Sequence, residues 1–456
     1  MSRKLLPICL VFDLMSKPFK IFLVLWLLLN FSFSTAAYTT QFADEGEPVR
    51  LHWKIGTIPI ALSTSLAKQN PNIKADSDVL GAIQRSLETW EKVADIKFEI
   101  ILSDKQSVSP SGKIGDGISL ITIAQTAENL VLFGGDTEEI SARTRVFYNG
   151  KGFITEADII LNPYKQFSTD GSIGTFDLEA TLTHEIGHLL GLEHSSVLGA
   201  TMHAHQGKNG VYNLSSFSSR TLAEDDISGI RALYGAKDSD EDCCGIISGK
   251  LSSATGKAAK NFQVWAEETE TGRVIAGVLT NSEGTFRIEG LESGQYQIYA
   301  QDLGERKNLV STENLGEIYV INGKTSTLTK KLKNRAKNFD VRYVGFNGQI
   351  AGLAVPINGG KSYLIYVGGK NLDTQNFTIG FNSPNISVTP NTLTKHDYGA
   401  DLSVLSFEIK VKSETPAGEY SFFVQSKNEE IGFIVGGLTV EKFVNPWNSY
   451  LLFGDE

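Results

Sequence analysis

Three histidines stand in one short stretch of the chain, 184–194, with a glutamate after the first and a glycine between the second and the third. His184 and His188 are four residues apart, so on a helix they lie on one face and can share a metal ion. Glu185 occupies the position of the general base in a His-Glu-x-x-His site. Gly191 can end the helix in a left-handed conformation and turn the chain, which would bring in His194 as a third ligand. Three neutral imidazoles that leave one position open for water indicate a catalytic zinc site.

This stretch resembles the metzincin zinc signature, His-Glu-x-x-His-x-x-Gly-x-x-His. Two later motifs are similar to the matrixin branch. They are Ser195 followed by Met202 in the sequence Gly-Ala-Thr-Met-His, and the segment 225–235, which resembles the last helix of matrixin catalytic domains. The resemblance covers about residues 45–236. It implies that Met202, in the Met-turn, lies beneath the zinc as a hydrophobic floor and that an acid at the start of the last helix braces this turn. The competing interpretation is a cluster of helical histidines without a metal.

The resemblance implies a secreted zinc endopeptidase that hydrolyses peptide bonds of extracellular proteins. One zinc ion, bound by His184, His188 and His194, would lower the pKa of its water and polarise the scissile carbonyl. Glu185 would take the proton of that water and deliver it to the leaving amine. The alternative is a catalytically weak or inactive zinc-binding protein that serves adhesion or matrix binding. The intact Glu185 favours the enzyme.

Two further histidines follow the Met-turn. His203 and His205 could line the substrate cleft, or they could simply face solvent. Ala204 stands where some other metzincin branches have a metal-contacting tyrosine, so no fifth ligand is expected. The S1′ pocket should be shaped by the chain between His194 and Leu222, whose path the sequence does not give, so the substrate preference stays open.

The region ahead of the zinc motif departs from the animal matrixins. It has no histidine between His52 and His184, so their structural zinc is absent in its usual form. Oxygen ligands of Gly134–Glu139 and of Asp158 could bind calcium instead, or these acids could simply be solvated. No cysteine precedes the catalytic domain once an N-terminal signal is removed, so we expect no cysteine switch.

The N-terminus predicts export from the cell. Basic residues precede a short apolar run at Ile21–Leu29, and the small residues Ser34–Ala37 offer a cleavage site, so residues 1–37 are predicted to be a signal peptide. The alternative is a protein tethered to the membrane through residues 21–29. The chain has 456 residues and a formal net charge of −10, which indicates several domains and argues against a general nucleic-acid binder.

Residues 38–236 are predicted to form an α+β metzincin domain, a twisted mixed sheet with helices. Its expected elements are a first strand within 45–65, an amphipathic helix over 76–93, strands at 98–102 and 118–123, and a hairpin of 141–148 with 153–161. The first arm of the hairpin, Ser141–Tyr148, would be the edge strand above the cleft. An exposed edge strand can pair with an extended peptide.

Two all-β sandwich domains are predicted to follow. Residues 237–336 resemble the carboxypeptidase-regulatory or collagen-binding B type, chiefly at Asn281–Phe286. Residues 337–445 resemble the immunoglobulin-like fold of plexins and some transcription factors, and 446–456 form a C-terminal tail. The candidate partners are protein or peptide substrates and, through the sandwiches, extracellular matrix or cell-surface components, with no nucleic acid. The adjacent Cys243 and Cys244 could close a disulfide, pair with a partner or stay reduced.

Overall fold

The computed structural model describes most of the chain from residue 40 to residue 441. The described ranges are 40–43, 49–54, 56–67, 70–110, 114–134, 140–214, 220–237, 243–303, 309–399 and 401–441. The predicted signal peptide, the possible anchor at 21–29 and the predicted tail at 446–456 lie outside these ranges. Within them, no helix combines the length and the apolar character that crossing a bilayer requires.

The first half of the described chain builds a six-stranded mixed sheet. Five of its strands are parallel, in the order β1-β6-β4-β2-β3, and β5 adds to β6 as an antiparallel outer strand. The predicted first strand proves to be two separate strands, β1 and β2, on different parts of the sheet. The strands are β1 His52–Trp53, β2 Thr57–Ser63, β3 Lys97–Ser103, β4 Leu120–Thr122, β5 Ala142–Tyr148 and β6 Phe153–Leu161, followed by a parallel pair, β7 Phe167–Ser168 and β8 Phe176–Asp177.

The helices pack on this sheet through an apolar core. The bounds are α1 Thr64–Ala67, α2 Val79–Glu91, α3 Ala127–Val131, α4 Leu178–Leu189 and α5 Glu224–Tyr234. Helix α2 begins where Asp78 accepts a hydrogen bond from the Gly81 amide at 3.0 Å. It buries the apolar face that its spacing predicts, and the indole N–H of its Trp90 donates to the Thr183 carbonyl of α4 at 2.9 Å. The predicted helix and hairpin are therefore confirmed.

The second half of the described chain is built from strands. A three-stranded sheet has the order β12-β9-β16, and a six-stranded sheet has the order β19-β18-β21-β25-β23 with β24 on β25. An eight-stranded sheet has the order β15-β13-β10-β11-β26-β27-β20 with β22 on β26, and β14 pairs with β17. The strands are β9 Gly245–Ser252, β10 Phe262–Glu268, β11 Arg273–Leu279, β12 Thr285–Leu291, β13 Gly294–Asp302, β14 Leu309–Val310, β15 Glu313–Val320, β16 Thr325–Lys331, β17 Ala336–Lys337, β18 Asp340–Phe346, β19 Gln349–Ala351, β20 Val355–Ile357, β21 Ser362–Lys370, β22 Phe377–Phe381, β23 Ile386–Val388, β24 Thr394–Asp397, β25 Ser403–Val411, β26 Gly418–Ser426 and β27 Ile431–Val440.

The two predicted sandwich domains share one sheet. Strand β11 of the first pairs antiparallel with β26 of the second, with Arg273 opposite Tyr420 and Val274 opposite Glu419. An apolar cluster covers this junction and includes Val197 from the chain just after the zinc motif. The β-rich region, residues 245–440, is therefore packed directly against the part of the chain that follows the histidines. Before it, Cys243 and Cys244 form a vicinal disulfide across a cis peptide bond.

Candidate metal centre

Helix α4 carries the first two histidines of the motif into the protein. The helix begins at Leu178 and is capped by Asp177, whose carboxylate accepts the Ala180 amide at 2.9 Å. It ends at Leu189, and Gly191 then takes a φ of +100°, as the sequence predicts. A Cβ on Gly191 would lie 2.3 Å from the Leu51 carbonyl oxygen, so only glycine fits this turn.

The turn brings His194 back to His184 and His188. The Nε2 atoms of His188 and His194 are 3.2 Å apart, and one nitrogen from each of the three rings lies within 4.8 Å of the others. The Nδ1 of His184 lies 2.7 Å from the Thr201 carbonyl, and the Nδ1 of His188 lies 2.9 Å from the Leu192 carbonyl. A carbonyl can only accept, so each Nδ1 carries the proton and each Nε2 is free to bind a metal.

Burial lowers the pKa of both helical histidines, and the neighbouring imidazoles lower that of His188 further. Neutral imidazoles are the form that binds a metal. Three imidazole nitrogens that converge in this way, with a carboxylate beside them, fit Zn²⁺. Among the residues that the structure describes, this is the only group of three or more His, Cys, Asp or Glu side chains arranged to hold a metal ion.

Glu185 is almost fully buried beside the histidines. Its Oε2 accepts a hydrogen bond of 2.5 Å from the Thr144 hydroxyl. Burial raises the pKa of Glu185 to about 7, against the opposing effect of the hydrogen bond from Thr144. Thr144 was not identified from the sequence, where the one available signal was its place in the strand predicted to border the cleft.

The Met-turn lies directly under α4. Met202 is buried, and a Cβ on Gly187 would lie 2.2 Å from its sulfur, so the close approach depends on glycine. Asp226 accepts the amides of Thr201 and Met202 at 2.8 and 2.9 Å. It also accepts the amide of Ala223 at 2.8 Å. An acid in the last helix thus braces the turn, as the resemblance implies.

Strand β5 borders the site as an edge strand. Within the described residues it pairs with β6 alone, through Ala142 to Tyr148. Its other side therefore leaves backbone N–H and C=O groups that an extended peptide could join.

A cavity of about 560 Å³ adjoins the histidines. Its lining includes His184 together with both histidines of the predicted cleft, His203 and His205. The His203 ring lies within hydrogen-bonding reach of the Ser195 and Gly352 backbone, and His205 is exposed. The opposite wall comes from the β-rich region, at Leu353 and Glu419 among others, which sequence reasoning did not identify.

The predicted calcium site gains no support from the geometry. Most of Gly134–Glu139 lies outside the described residues. Both carboxylate oxygens of Asp158 accept backbone amides, from Ser109 at 2.9 Å and from Leu120 at 3.0 Å. Calcium binding stays a prediction.

Sequence comparisons with known proteins match the part of the chain that contains the three histidines to metalloproteinases. Residues 53–235 match the family described as Matrixin, and residues 246–333 match the Carboxypeptidase regulatory-like domain. Metalloendoproteinase 1 of Glycine max is 28% identical over 198 residues, which is 40% of this chain and 52% of that protein. Stromelysin-2 of Rattus norvegicus is 28% identical over 161 residues, which is 35% of this chain and 29% of that protein. Matrilysin of Mus musculus is 38% identical over 72 residues, which is 16% of this chain and 25% of that protein.

The matched part of the chain thus spans about half the length of the Glycine max relative. It spans a smaller share of the Rattus norvegicus relative. Among solved structures, the major pilin subunit BcpA of Bacillus cereus aligns over 43% of this chain and 69% of its own, at 16% identity and a TM-score of 0.18, too low to support an argument about fold. The range matched to the Matrixin family contains the three convergent histidines and the Met-turn braced by Asp226. It also contains nearly all of the six-stranded mixed sheet. Residues 53–235 therefore form a matrixin-like domain, and a carboxypeptidase regulatory-like domain follows at residues 246–333.

Proposed function

We propose that this protein is a secreted zinc-dependent endopeptidase that hydrolyses peptide bonds of extracellular proteins. One observation supports this above all others. Three imidazole nitrogens converge within 4.8 Å of one another, and the adjacent Glu185 carboxylate is buried and fixed by Thr144. A purely structural metal site would not need an acid beside its ligands that does not itself bind the metal.

The ligands would be His184, His188 and His194. When bound, zinc supplies polarisation of the scissile carbonyl and a lowered pKa of water. Glu185 accepts the proton of the attacking water and then donates it to the nitrogen of the leaving amine. The Thr144 hydroxyl holds the carboxylate in place for both steps. Strand β5 aligns an extended peptide through backbone hydrogen bonds along its free edge.

The test of this mechanism is Glu185→Gln beside His188→Ala. We expect Glu185→Gln to keep its zinc and to lose at least about 10³-fold in kcat, because an amide cannot take the proton. We expect His188→Ala to lose both zinc and activity. Metal content by mass spectrometry and cleavage of a mixed protein substrate pool are the readouts. Peptidase activity retained by Glu185→Gln would contradict the mechanism.

Secretion rests on the predicted signal peptide, residues 1–37. Mass spectrometry of the N-terminus of the mature protein tests it directly. Cleavage near Ser34–Ala37 supports a secreted enzyme, whereas an intact N-terminus supports tethering through residues 21–29.

A second candidate is a zinc-binding protein whose main role is adhesion or matrix binding. The size of the β-rich region, which spans residues 245–440, favours it. Stoichiometric zinc without cleavage of any protein in the pool by the wild type would support this candidate over the peptidase.

A further inference from the structure

We propose that the cavity beside the three histidines takes a lysine or arginine side chain of the peptide substrate, and that Glu419 of the β-rich region recognises the cation. The proposal rests on the proposed peptidase function and deepens it, because it names the substrate class and assigns a specificity residue outside the matrixin-like domain.

The cavity has walls from two parts of the chain. His184, Thr201 and Leu222 line it from the matrixin-like domain. Leu353, Pro356 and Glu419 line it from the β-rich region. Since His184 is one of the three convergent histidines, a peptide lying across the site can place one side chain in this cavity.

Glu419 is a buried acid whose carboxyl group is only partly satisfied by the described residues. Its side chain lies on β26, the residue is 4% exposed, and its Oε2 makes no hydrogen bond within the described part of the chain. The side chain packs against Gly199, where an added Cβ would lie 2.7 Å from the Glu419 Cγ. Burial, together with the nearby acids Asp226 and Glu224, raises the pKa of Glu419 to about 8, because an ionised carboxylate without a counter-ion is costly here. A cation that enters the cavity supplies that counter-ion, so it gains a charge-assisted hydrogen bond to the ionised group.

The charges around the cavity favour a cation. Arg220 also lines it, but its guanidinium is engaged by Asp177, with the shortest contact at 2.7 Å. Glu224 is engaged by Arg273 at 3.1 Å. Glu419 is left as an acid without such a counter-ion, and Glu441 lines the same space.

The shape suits a long side chain with a charged end. The aliphatic part of lysine or arginine packs against apolar surface while its charged end reaches a polar group. Leu198, Leu222, Leu353 and Pro356 provide apolar surface along the cavity, and Glu419 provides the carboxylate.

The two walls are held together by Tyr212. This residue belongs to the chain after the Met-turn, yet it is fully buried in the apolar core of the β-rich region. Its hydroxyl lies 2.7 Å from the Leu353 carbonyl and 3.0 Å from the Val344 carbonyl. Its amide donates to the Gln349 side chain at 2.6 Å, and the Asn347 side chain donates to its carbonyl at 2.8 Å.

The cavity is therefore formed before a ligand arrives. A preformed pocket loses little conformational freedom on binding, so a single charged group at its end can decide which side chain is preferred.

The experiment measures binding, so it does not depend on turnover. Short peptidyl hydroxamates anchor on the metal through the hydroxamate and differ only in the side chain beside it, which is lysine, norleucine or glutamate. Calorimetry on the zinc-loaded full chain should show lysine bound at least about tenfold more tightly than norleucine, and glutamate bound most weakly.

Glu419→Gln should reduce the lysine preference to about twofold or less and leave the norleucine affinity unchanged, which also shows that the site is intact. Glu414→Gln is the matched control, because it removes the same charge from an exposed residue just before β26. This control should keep the preference. Equal affinities for lysine and norleucine in the wild type, or a full preference in Glu419→Gln, would overturn the proposal.

The outcomes separate this proposal from the proposed function. Peptide cleavage without any preference for a basic side chain would reject the role of Glu419 alone. Tight, Glu419-dependent binding of the lysine compound without cleavage of any peptide would reject the peptidase and keep the binding site. A protein that binds no zinc and no hydroxamate would reject both.

Discussion

Gly187 lets helix α4 lie against the Met-turn, and Gly187→Ala tests how tightly the two are coupled. The added Cβ would lie 2.2 Å from the sulfur of Met202 and 3.0 Å from Cζ2 of Trp90. A relaxed contact is about 3.5–4.0 Å, so the sulfur has to move by roughly 1.5 Å. Met202 is 2% exposed and Trp90 is fully buried, which leaves no free space for that movement.

Two effects of opposite sign decide the result. Alanine in place of glycine within a helix stabilises by about 1 kcal/mol, whereas overpacking a core costs about 1–3 kcal/mol. We expect the clash to dominate, with a net loss of about 1 kcal/mol in the free energy of unfolding. Displacement of the Met-turn also moves the Thr201 carbonyl, which holds His184 at 2.7 Å, so zinc affinity should fall about tenfold or more.

Urea unfolding of the metal-free protein and zinc competition with a chelator measure the two effects. Met202→Ala in the same protein removes the clash, so the double variant should lose less stability than the sum of the single variants. A Gly187→Ala protein that is more stable than the wild type and binds zinc as tightly would refute the reasoning.

Three other predictions concern single side chains. Thr144→Val removes the hydroxyl that fixes Glu185 and should lower kcat about tenfold with a smaller change in KM, whereas Thr144→Ser should keep the rate. Asp226→Ala leaves the amides of the Met-turn without their acceptor and should lower the free energy of unfolding, measured with urea, by about 3 kcal/mol. A decrease of less than about 0.5 kcal/mol would contradict the bracing role. Burial raises the pKa of Glu267 from 4.5 to about 7, so the native state keeps a proton that the unfolded chain releases, and the contribution of this group to the free energy of unfolding should fall by about 3 kcal/mol as the pH rises from about 4.5 to 7. Glu267→Gln should lessen the fall by that amount, and parallel curves of stability against pH for the two proteins would exclude this cause.

The sequence predicted the parts of the site that follow from local rules. The spacing of His184 and His188 required a helix, and Gly191 required a turn, and both are found. The hairpin of β5 and β6 was predicted because Asn149 and Gly152 favour a tight turn. In the structure the Asn149 side chain accepts the Lys151 amide at 2.9 Å, and Gly152 has a φ of +80°.

The sequence did not predict the contacts between distant segments. Tyr212 contacts residues more than 130 positions away, and no periodicity in either segment signals that contact. The pairing of β11 with β26 was missed for the same reason, because each strand by itself is compatible with a separate sandwich. The wall of the cavity at Leu353 and Glu419 depends on both features, so it could only be recognised in three dimensions.

The position of Tyr212 also bears on how the protein can be dissected in the laboratory. A recombinant fragment that ends at residue 236 would expose this ring and Val197 to water. It would also deprive the Asp225 carboxylate of the Gly277 amide, which donates to it at 2.6 Å. We expect that fragment to be poorly soluble even though it contains all three convergent histidines. Cloning boundaries for this protein should therefore follow the packing and include the chain through β27.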